Sequence, residues 1–323
     1  MFSRLFAALQ NINRRISYAF RNFYRRVKKG GKPDFPRYKG KFRYDSLTYP
    51  QSGFQLEKKL FISKVGEVAI VRHRESKGKI KTLTINRTST NKWYACFSVE
   101  KEPAKKLPRE RKSIGIDLGL ANFYATGEGD TIEHPRYLRK AEQKLAFTQR
   151  KHSRKKLRSS NRKKSGLKVT KLHEKICQQR LDFLHKVTRR LANNYTDIAV
   201  EKLHIQNMLY HPYLAKSISD ASWRKFIQLL YYKVEETGGK LVGVNPNGTS
   251  QYCICGNKVK KTLAVRAHKC CKCGRDMDRD VMSAMVIKQR AFNGTTAGSA
   301  GSNAWEDEKI ISSMNQEFLA FKG

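Results

Sequence analysis

The chain has 323 residues, with 67 Lys and Arg against 27 Asp and Glu and a formal net charge of +40 at pH 7. A chain of this length can bury its own core and is expected to hold two or three domains. The charge favours a polyanionic partner, either nucleic acid or a membrane surface. Nucleic acid is preferred, because no apolar run approaches the roughly 20 residues of a spanning helix. Nothing in the sequence indicates a small-molecule substrate.

Residues 1–45 are predicted to form a basic helical segment. Apolar residues from Phe2 to Phe23 keep helical spacing, with arginines between them, and Gly30-Gly31 ends the pattern. An organellar leader has a similar composition, but the length of the pattern favours a working helix. The residues expected to contact nucleic acid here are Arg14, Arg15, Arg25, Arg26 and Lys39.

Residues 46–108 are predicted to form a small antiparallel β domain. Apolar and polar residues alternate around Leu83 and Ile85, and again from Trp93 to Val99. The preceding turn-rich stretch, 34–52, has two interpretations. Its aromatic residues Tyr38, Phe42 and Tyr44 either stack on bases or hold a loop against a core.

Residues 109–248 are predicted to form a mixed α/β domain that contains a helical insertion at 134–195. The predicted elements are a hairpin at 113–126, helices at about 136–157 and 167–194, a strand at 197–203, a helix at 217–237 and a strand at 241–244. The basic run 154–164 between the first two helices forms an elbow. Acids are absent from 144 to 173, so this basic elbow is expected to face phosphates. Its proposed contacts are Arg150, Arg154, Lys155, Lys156, Arg162, Lys163 and Lys164.

Three acids terminate or open apolar elements of this domain. They are Asp117, within Gly115-Ile116-Asp117-Leu118-Gly119, then Glu201 and Asp280. Carboxylate oxygens suit Mg²⁺ or Mn²⁺, and phosphodiester hydrolysis by two such ions needs carboxylates that flank them. The set predicts a metal-dependent nuclease, in which small residues beside Asp117 let the backbone approach a ligand. Asp278 is expected to cap the last helix.

Five of the seven cysteines are concentrated within 253–273, which indicates metal ligands in a reducing compartment rather than disulfides. The expected module, 249–277, pairs Cys253-x-Cys255 with Cys270-x-x-Cys273 around a structural Zn²⁺. The first pair is one residue short of the usual spacing. Two alternatives to this ligand set are a replacement ligand from Cys271 or His268 and a degenerate knuckle that holds no zinc. A helix at 278–292 and a flexible, Gly- and Ser-rich tail at 293–323 are expected to follow.

Together these residues resemble the TnpB (OrfB) family encoded by insertion sequences. The resemblance covers roughly residues 1–292 and rests on Gly115–Gly119, the basic elbow, Val200-Glu201-Lys202-Leu203, the Cys-Gly pairs and Asp278-Arg279-Asp280. It implies a RuvC-like nuclease domain of RNase H-like fold with inserted helices and a zinc ribbon, preceded by a wedge-like β domain, and a relationship to type V CRISPR effectors.

The resemblance also implies an activity and its residues. It implies an RNA-guided, Mg²⁺-dependent DNA endonuclease that uses a guide RNA derived from the mobile element and cuts double-stranded DNA next to a short flanking motif. Asp117, Glu201 and Asp280 correspond to the acidic triad, and Cys253, Cys255, Cys270 and Cys273 to the zinc ligands. The expected location is the prokaryotic cytoplasm, at the nucleoid.

The chain departs from the family pattern in three places. It begins inside the expected recognition helices, its first knuckle is shortened, and Met282 replaces an Asn. Two alternatives therefore stay open: a truncated, inactive relative that binds RNA or DNA without cutting, and a transposase-type strand-transfer protein.

Overall fold

The computed structural model describes residues 3–31, 34–40, 43–72, 75, 78–100, 110–262, 265–292 and 316–321. These residues belong to two compact units, which meet in sequence between Ala104 and Lys105. The second unit contains all the residues of the two candidate metal sites. Among the described helices, none is both long and apolar enough to cross a membrane.

The first unit consists of one helix and two antiparallel sheets. Helix α1 spans Ser3–Lys28. The larger sheet has the order β1-β6-β7-β15-β5, and the smaller one β2-β3-β4. The strands are β1 (Ser46–Pro50), β2 (Phe54–Leu56), β3 (Leu60–Ile62), β4 (Gly66–Val68), β5 (Ile70–Val71), β6 (Lys79–Arg87), β7 (Trp93–Glu100) and β15 (Gln316–Phe321). The predicted helix and the β6–β7 hairpin are confirmed.

Two expectations for this unit change. Helix α1 and the strands lie in one unit rather than in separate domains, and the Arg15 guanidinium donates to the backbone oxygen of Ser46 at 3.4 Å and to Thr48 Oγ1 at 3.1 Å. Part of the expected flexible tail is also a strand, since β15 pairs with β7 and β5. Its sequence, Gln-Glu-Phe-Leu-Ala-Phe, has the apolar and aromatic residues typical of strands, unlike the Gly- and Ser-rich stretch before it.

The second unit is a mixed α/β domain built on a five-stranded sheet of order β10-β9-β8-β11-β12. The strands β8, β9 and β10 are antiparallel neighbours, whereas β8, β11 and β12 run parallel. The strands are β8 (Ser113–Leu118), β9 (Asn122–Thr126), β10 (Thr131–Glu133), β11 (Asp197–Glu201) and β12 (Lys240–Val244). The mixed fold class predicted from the sequence is therefore confirmed.

Helices and one small hairpin complete this unit. The helices are α2 (Tyr137–Ser153), α3 (Ser160–Asn194), α4 (Ile205–Met208), α5 (Ala215–Ala221), α6 (Trp223–Glu236) and α7 (Arg279–Phe292). The hairpin joins β13 (Ala267–Lys269) to β14 (Asp276–Asp278). The single helix expected at 217–237 is wrong, because Ser222 adopts φ 54° and ψ 39° and separates α5 from α6.

Aromatic rings connect the sheet to the long helices. The Phe123 ring on β9 lies edge-on to Phe183 of α3 at 5.1 Å and to Phe226 of α6 at 5.2 Å between ring centroids. Phe123 and Phe226 are fully buried. Edge-to-face pairs of this kind contribute about 1 kcal/mol beyond the area that they bury. They fix one side of the sheet, while α7 covers β8 and β11.

Candidate functional site

Strand register places Asp117 beside Glu201. Ile116 on β8 pairs with Val200 on the parallel strand β11, so the next residues along the two strands are neighbours. Adjacent strands lie about 4.8 Å apart, and side chains at paired positions point to the same face. Glu201 is 8% exposed, whereas Asp117 is half-buried.

Helix α7 brings Asp280 to the same face. A Cβ on Gly115 would lie 2.0 Å from the Ala284 carbonyl oxygen, so the strand and helix backbones almost touch there. Asp280 precedes Ala284 by four residues, about 6 Å along the helix, and Asp117 follows Gly115 by two residues, about 6.7 Å along the strand. Both acids therefore lie near the first turn of α7.

This result corrects one expectation about the glycine motif. Gly115 was expected to let the backbone approach a ligand, but the group that it admits is the backbone of α7. A nearby glycine, Gly119, also leaves no room for a side chain, but for a different reason. A Cβ there would lie 2.9 Å from the Asn122 carbonyl oxygen across the β8–β9 turn. The motif therefore positions Asp117 through packing.

The electrostatic field agrees with this placement of the acids. Burial raises the pKa of Asp117 well above its usual range, and the negative charges of Glu201 and Asp280 raise it further. The Arg279 guanidinium opposes them. Burial also raises the pKa of Glu201, while a hydrogen bond from the Thr249 hydroxyl lowers it. A cation at this edge would relieve the repulsion between the carboxylates.

Asp280 is held by two arginines. Its carboxylate accepts from Arg279 at 3.2 Å and from Arg266 at 3.3 Å, and its side chain is 15% exposed. Asp278 caps α7, as expected, with its Oδ1 accepting from the backbone N–H of Asp280 at 2.8 Å. In the described part of the chain, the three carboxylates are not a group whose oxygens all lie within 4.8 Å of one another.

The four cysteines Cys253, Cys255, Cys270 and Cys273 do form such a group, with all their Sγ atoms within 4.8 Å. Sulfurs about 2.3 Å from a tetrahedral Zn²⁺ lie about 3.8 Å apart. The Cys253–Cys273 and Cys255–Cys270 sulfurs are separated by 3.5 and 3.7 Å. The donor set therefore fits one structural metal ion.

The remaining thiol and imidazole are not in this group. Cys271 is exposed, and the buried His268 contacts Lys261 through Nδ1. The shortened first knuckle therefore needs no replacement ligand. The backbone N–H of Cys273 lowers the pKa of the Cys270 thiol to about 6, which favours the thiolate form that binds metal. Burial raises the pKa of the Cys253 thiol to about 12.

The predicted nucleic-acid contacts fall into two groups. Most of them, on α1 and around the turn between α2 and α3, are exposed. Arg162 is only partly exposed, and its Nη1 donates to the carbonyl oxygens of His152, Ser153 and Lys155 at 3.3, 3.3 and 2.9 Å. The exposed Arg15 and Arg26 also donate to backbone oxygens, those of Ser46 and Asp34. Arg162 caps the C-terminal end of α2, so its guanidinium is already occupied. The elbow is also shorter than expected, since α3 begins at Ser160.

Sequence reasoning did not identify Thr249, Arg266 or Arg279 as site residues. Arg279 stands inside the Asp-Arg-Asp motif, and that motif was the only available signal. Thr249 is 48 residues from Glu201 and Arg266 is 14 residues from Asp280, so each reaches its acid through the fold. Fold and site together define a mixed α/β protein with three acids at one end of its sheet and a four-cysteine cluster whose geometry fits a metal ion.

Comparisons with known proteins give the family. A model described as "Probable transposase" (OrfB, IS605) matches residues 96–210, and one for the Cas12f1-like TNB domain matches 223–287. A Streptomyces pristinaespiralis protein, "Putative RNA-guided DNA endonuclease", is 31% identical over 298 residues, covering 90% of this chain and 72% of the relative. The chain belongs to the TnpB (OrfB) family.

The chain is also similar to a second bacterial protein and to a solved complex. The protein named "Putative RNA-guided DNA endonuclease InsQ" of Escherichia coli K12 is 31% identical over 272 residues, covering 78% of this chain and 66% of the relative. A solved CRISPR-Cas12f ternary complex aligns over 87% of this chain and 70% of its own, with 16% identity and a TM-score of 0.42.

Proposed function

We propose that this protein is an RNA-guided DNA endonuclease whose second unit is a RuvC-like, RNase H-like nuclease domain with an attached zinc ribbon. The single observation that supports it most is the convergence of Asp117, Glu201 and Asp280 on one edge of the sheet. Three antiparallel strands followed by two parallel ones, with helices packed against them, agree with that domain type.

The three carboxylates would hold Mg²⁺ or Mn²⁺, which, when bound, polarises the phosphodiester and activates water. The protein's own contribution is positioning. The Thr249 hydroxyl holds Glu201, and Arg266 and Arg279 hold Asp280. Their positive charge also favours the approach of a phosphate to the three acids.

The partners follow from charge and from the relatives. A formal charge of +40 favours a polyanionic partner, which would reduce the self-repulsion of the chain. The names of the relatives specify an RNA guide and a DNA target. We therefore propose that a guide RNA from the mobile element pairs with the target, while the protein reads a short flanking motif in double-stranded DNA.

The test is a cleavage assay with purified protein, Mg²⁺, the element-derived RNA and matching DNA. Asp117→Ala is expected to reduce cutting by at least about a hundredfold, because it removes a cation ligand, while RNA binding stays unchanged. Glu133→Ala, an exposed acid on the edge strand β10, serves as the matched control and should cut normally. Cutting by Asp117→Ala at the wild-type rate would refute the mechanism.

A second candidate function is nucleic-acid binding without cleavage. The ion pairs of Asp280 favour it, because Arg266 and Arg279 both donate to a carboxylate that would have to bind the metal ion. Under this alternative the wild-type protein binds the same RNA and DNA but does not cut in Mg²⁺ or Mn²⁺. The cleavage assay therefore discriminates the two functions before any substitution is made.

A further inference from the structure

A cavity of about 480 Å³ adjoins the acidic edge of the second unit. This volume is within the range of ligand pockets in proteins. One part of its lining is the turn after β8, three residues beyond Asp117. The second is the start of α2, and the third is α5 with the two residues before it. The residues that line it include Leu120, Arg136, Arg139, Tyr213, Lys216 and Arg266.

The acids that line this cavity already have partners. The Asp220 carboxylate accepts from Arg180 at 2.9 Å and from the backbone N–H of Leu138 at 3.2 Å. Glu142 pairs with Lys216. The cavity therefore does not present free negative charge to a ligand.

Two arginines at the start of α2 provide the opposite charge. Arg136 and Arg139 are exposed, and no ion pair of either guanidinium occurs among the described residues. Arg136 also has a strained backbone, with φ 51° and ψ 45°, and its N–H donates to His134 Nδ1 at 3.0 Å. A non-glycine residue in this region costs on the order of 1 kcal/mol, and such strain concentrates at functional sites.

An aromatic side chain, Tyr213, also lines the cavity. Tyr213 is 86% exposed, and it stands twelve residues after Glu201 in the connection between β11 and α5. An exposed tyrosine ring and two arginines that line the same cavity offer stacking for a base and ion pairing for its phosphate. Only an unpaired base presents its face for such stacking, so the fit is to a single strand.

The cavity is linked directly to the carboxylates. Arg266 lines it and donates to Asp280 Oδ2 at 3.3 Å. Leu120 and Ala121 line it from the turn that follows Asp117. A nucleotide bound there would hold the neighbouring phosphodiester close to the three acids.

We propose that this cavity is a subsite for one unpaired nucleotide of the DNA strand that is cut, with Tyr213 stacking on the base and Arg136 and Arg139 pairing with the phosphate. The proposal rests on the proposed nuclease function, since it assigns the substrate strand to that site. It makes the three residues positioning residues for the strand.

Photo-cross-linking tests the subsite without requiring cleavage. A ten-nucleotide DNA strand carrying 5-iododeoxyuridine is irradiated with the full-length protein at moderate salt, and the adduct is located by mass spectrometry. We expect the adduct at Tyr213, retained in Tyr213→Phe and lost in Tyr213→Ala. The double variant Arg136→Ala, Arg139→Ala should lower its yield at least about fivefold, because both phosphate contacts are lost. Lys240→Ala, at the opposite end of β12, should not change it.

The outcomes separate the two proposals. Adducts spread over other basic surfaces, or unaffected by the arginine substitutions, would overturn the subsite. A higher adduct yield at Tyr213 with an RNA strand of the same sequence would overturn its assignment to DNA. If the expected adduct forms while the wild-type protein does not cut DNA, the subsite is supported and the nuclease function fails. Because Tyr213 is exposed, circular dichroism should show the same melting temperature for all its variants.

Discussion

At the residue scale, the protonation of Glu201 depends on one neighbouring hydroxyl. Burial raises the pKa of this carboxyl, and the hydrogen bond from Thr249 and the charge of Arg290 oppose the rise. Arg290 is itself fixed by the carbonyl oxygens of Asn245 and Asn247, at 3.1 and 2.8 Å. The buried Thr249 hydroxyl also lies 3.0 Å from the Pro246 carbonyl oxygen, so its replacement removes that contact as well.

Replacing Thr249 with Val should shift the pH dependence of cutting. Loss of the hydrogen bond raises the pKa of Glu201 further, so a higher pH is needed to ionise the carboxylate. The acidic limb of the pH–rate profile is expected to move to higher pH, while the cleavage rate at high pH changes little. Thr131→Val, an exposed strand position on β10, is the matched control and should leave the profile in place. A downward shift would contradict this role.

The sequence predicted the types of the site residues better than their surroundings. Asp117, Glu201 and Asp280 stand out because each adjoins an apolar element. The occupied guanidinium of Arg162 could not be anticipated, since it depends on where α2 ends and α3 begins. In a run of basic residues, composition does not tell a helix cap from a phosphate contact. The roles of the three acids stay predictions.

At the element scale, the contact between β8 and α7 decides whether the acids meet. Gly115→Ala should lower the free energy of unfolding by about 3 kcal/mol or more. A Cβ there would overlap the Ala284 carbonyl oxygen and lie 2.7 Å from the backbone nitrogen of Lys288. A Cβ on Gly127 would contact the same helix but lie 3.4 Å from Met285 Cγ, an ordinary contact distance. Gly127→Ala should therefore leave the free energy of unfolding nearly unchanged. Chemical denaturation measures both, and equal stability of the two variants would refute the close approach.

The four-cysteine module allows an equally matched comparison. Cys270→Ser should remove bound zinc and lower the melting temperature by several degrees, because metal affinity is coupled to folding of the module. Its neighbour Cys271 is exposed and outside the ligand group, so Cys271→Ser should keep both the zinc and the melting temperature. Elemental analysis with thermal denaturation checks this. Full zinc content in Cys270→Ser would exclude that thiol as a ligand.

Periodicity predicted most elements of the second unit but not the break at Ser222. Apolar residues continue in register across it, and serine seldom adopts a positive φ. The strand β15 was missed for a different reason. Its partners, β7 and β5, are more than 200 residues earlier in the chain, and local composition carries no information about such pairing.

At the scale of the whole molecule, the net charge predicts how binding responds to salt. If six to ten phosphates are contacted, the affinity for double-stranded DNA should fall by about 10³- to 10⁵-fold between 50 and 200 mM salt. Substituting Arg154, Lys155 and Lys156 together with Ala should reduce the slope by up to about 2.7. Arg162→Ala should leave the slope unchanged but lower stability, because its contacts are internal. Fluorescence anisotropy across a salt series distinguishes these results.

The parallel pairing of β8 with β11 also limits how the chain can change in length. Inserting a single residue between Ile114 and Asp117 would turn the carboxylate to the opposite side of the sheet, since side chains alternate along a strand. Residues added to the turn between α2 and α3 would leave that alternation intact. Related proteins should therefore vary in size at their turns, while the distance from the start of β8 to its acid stays constant.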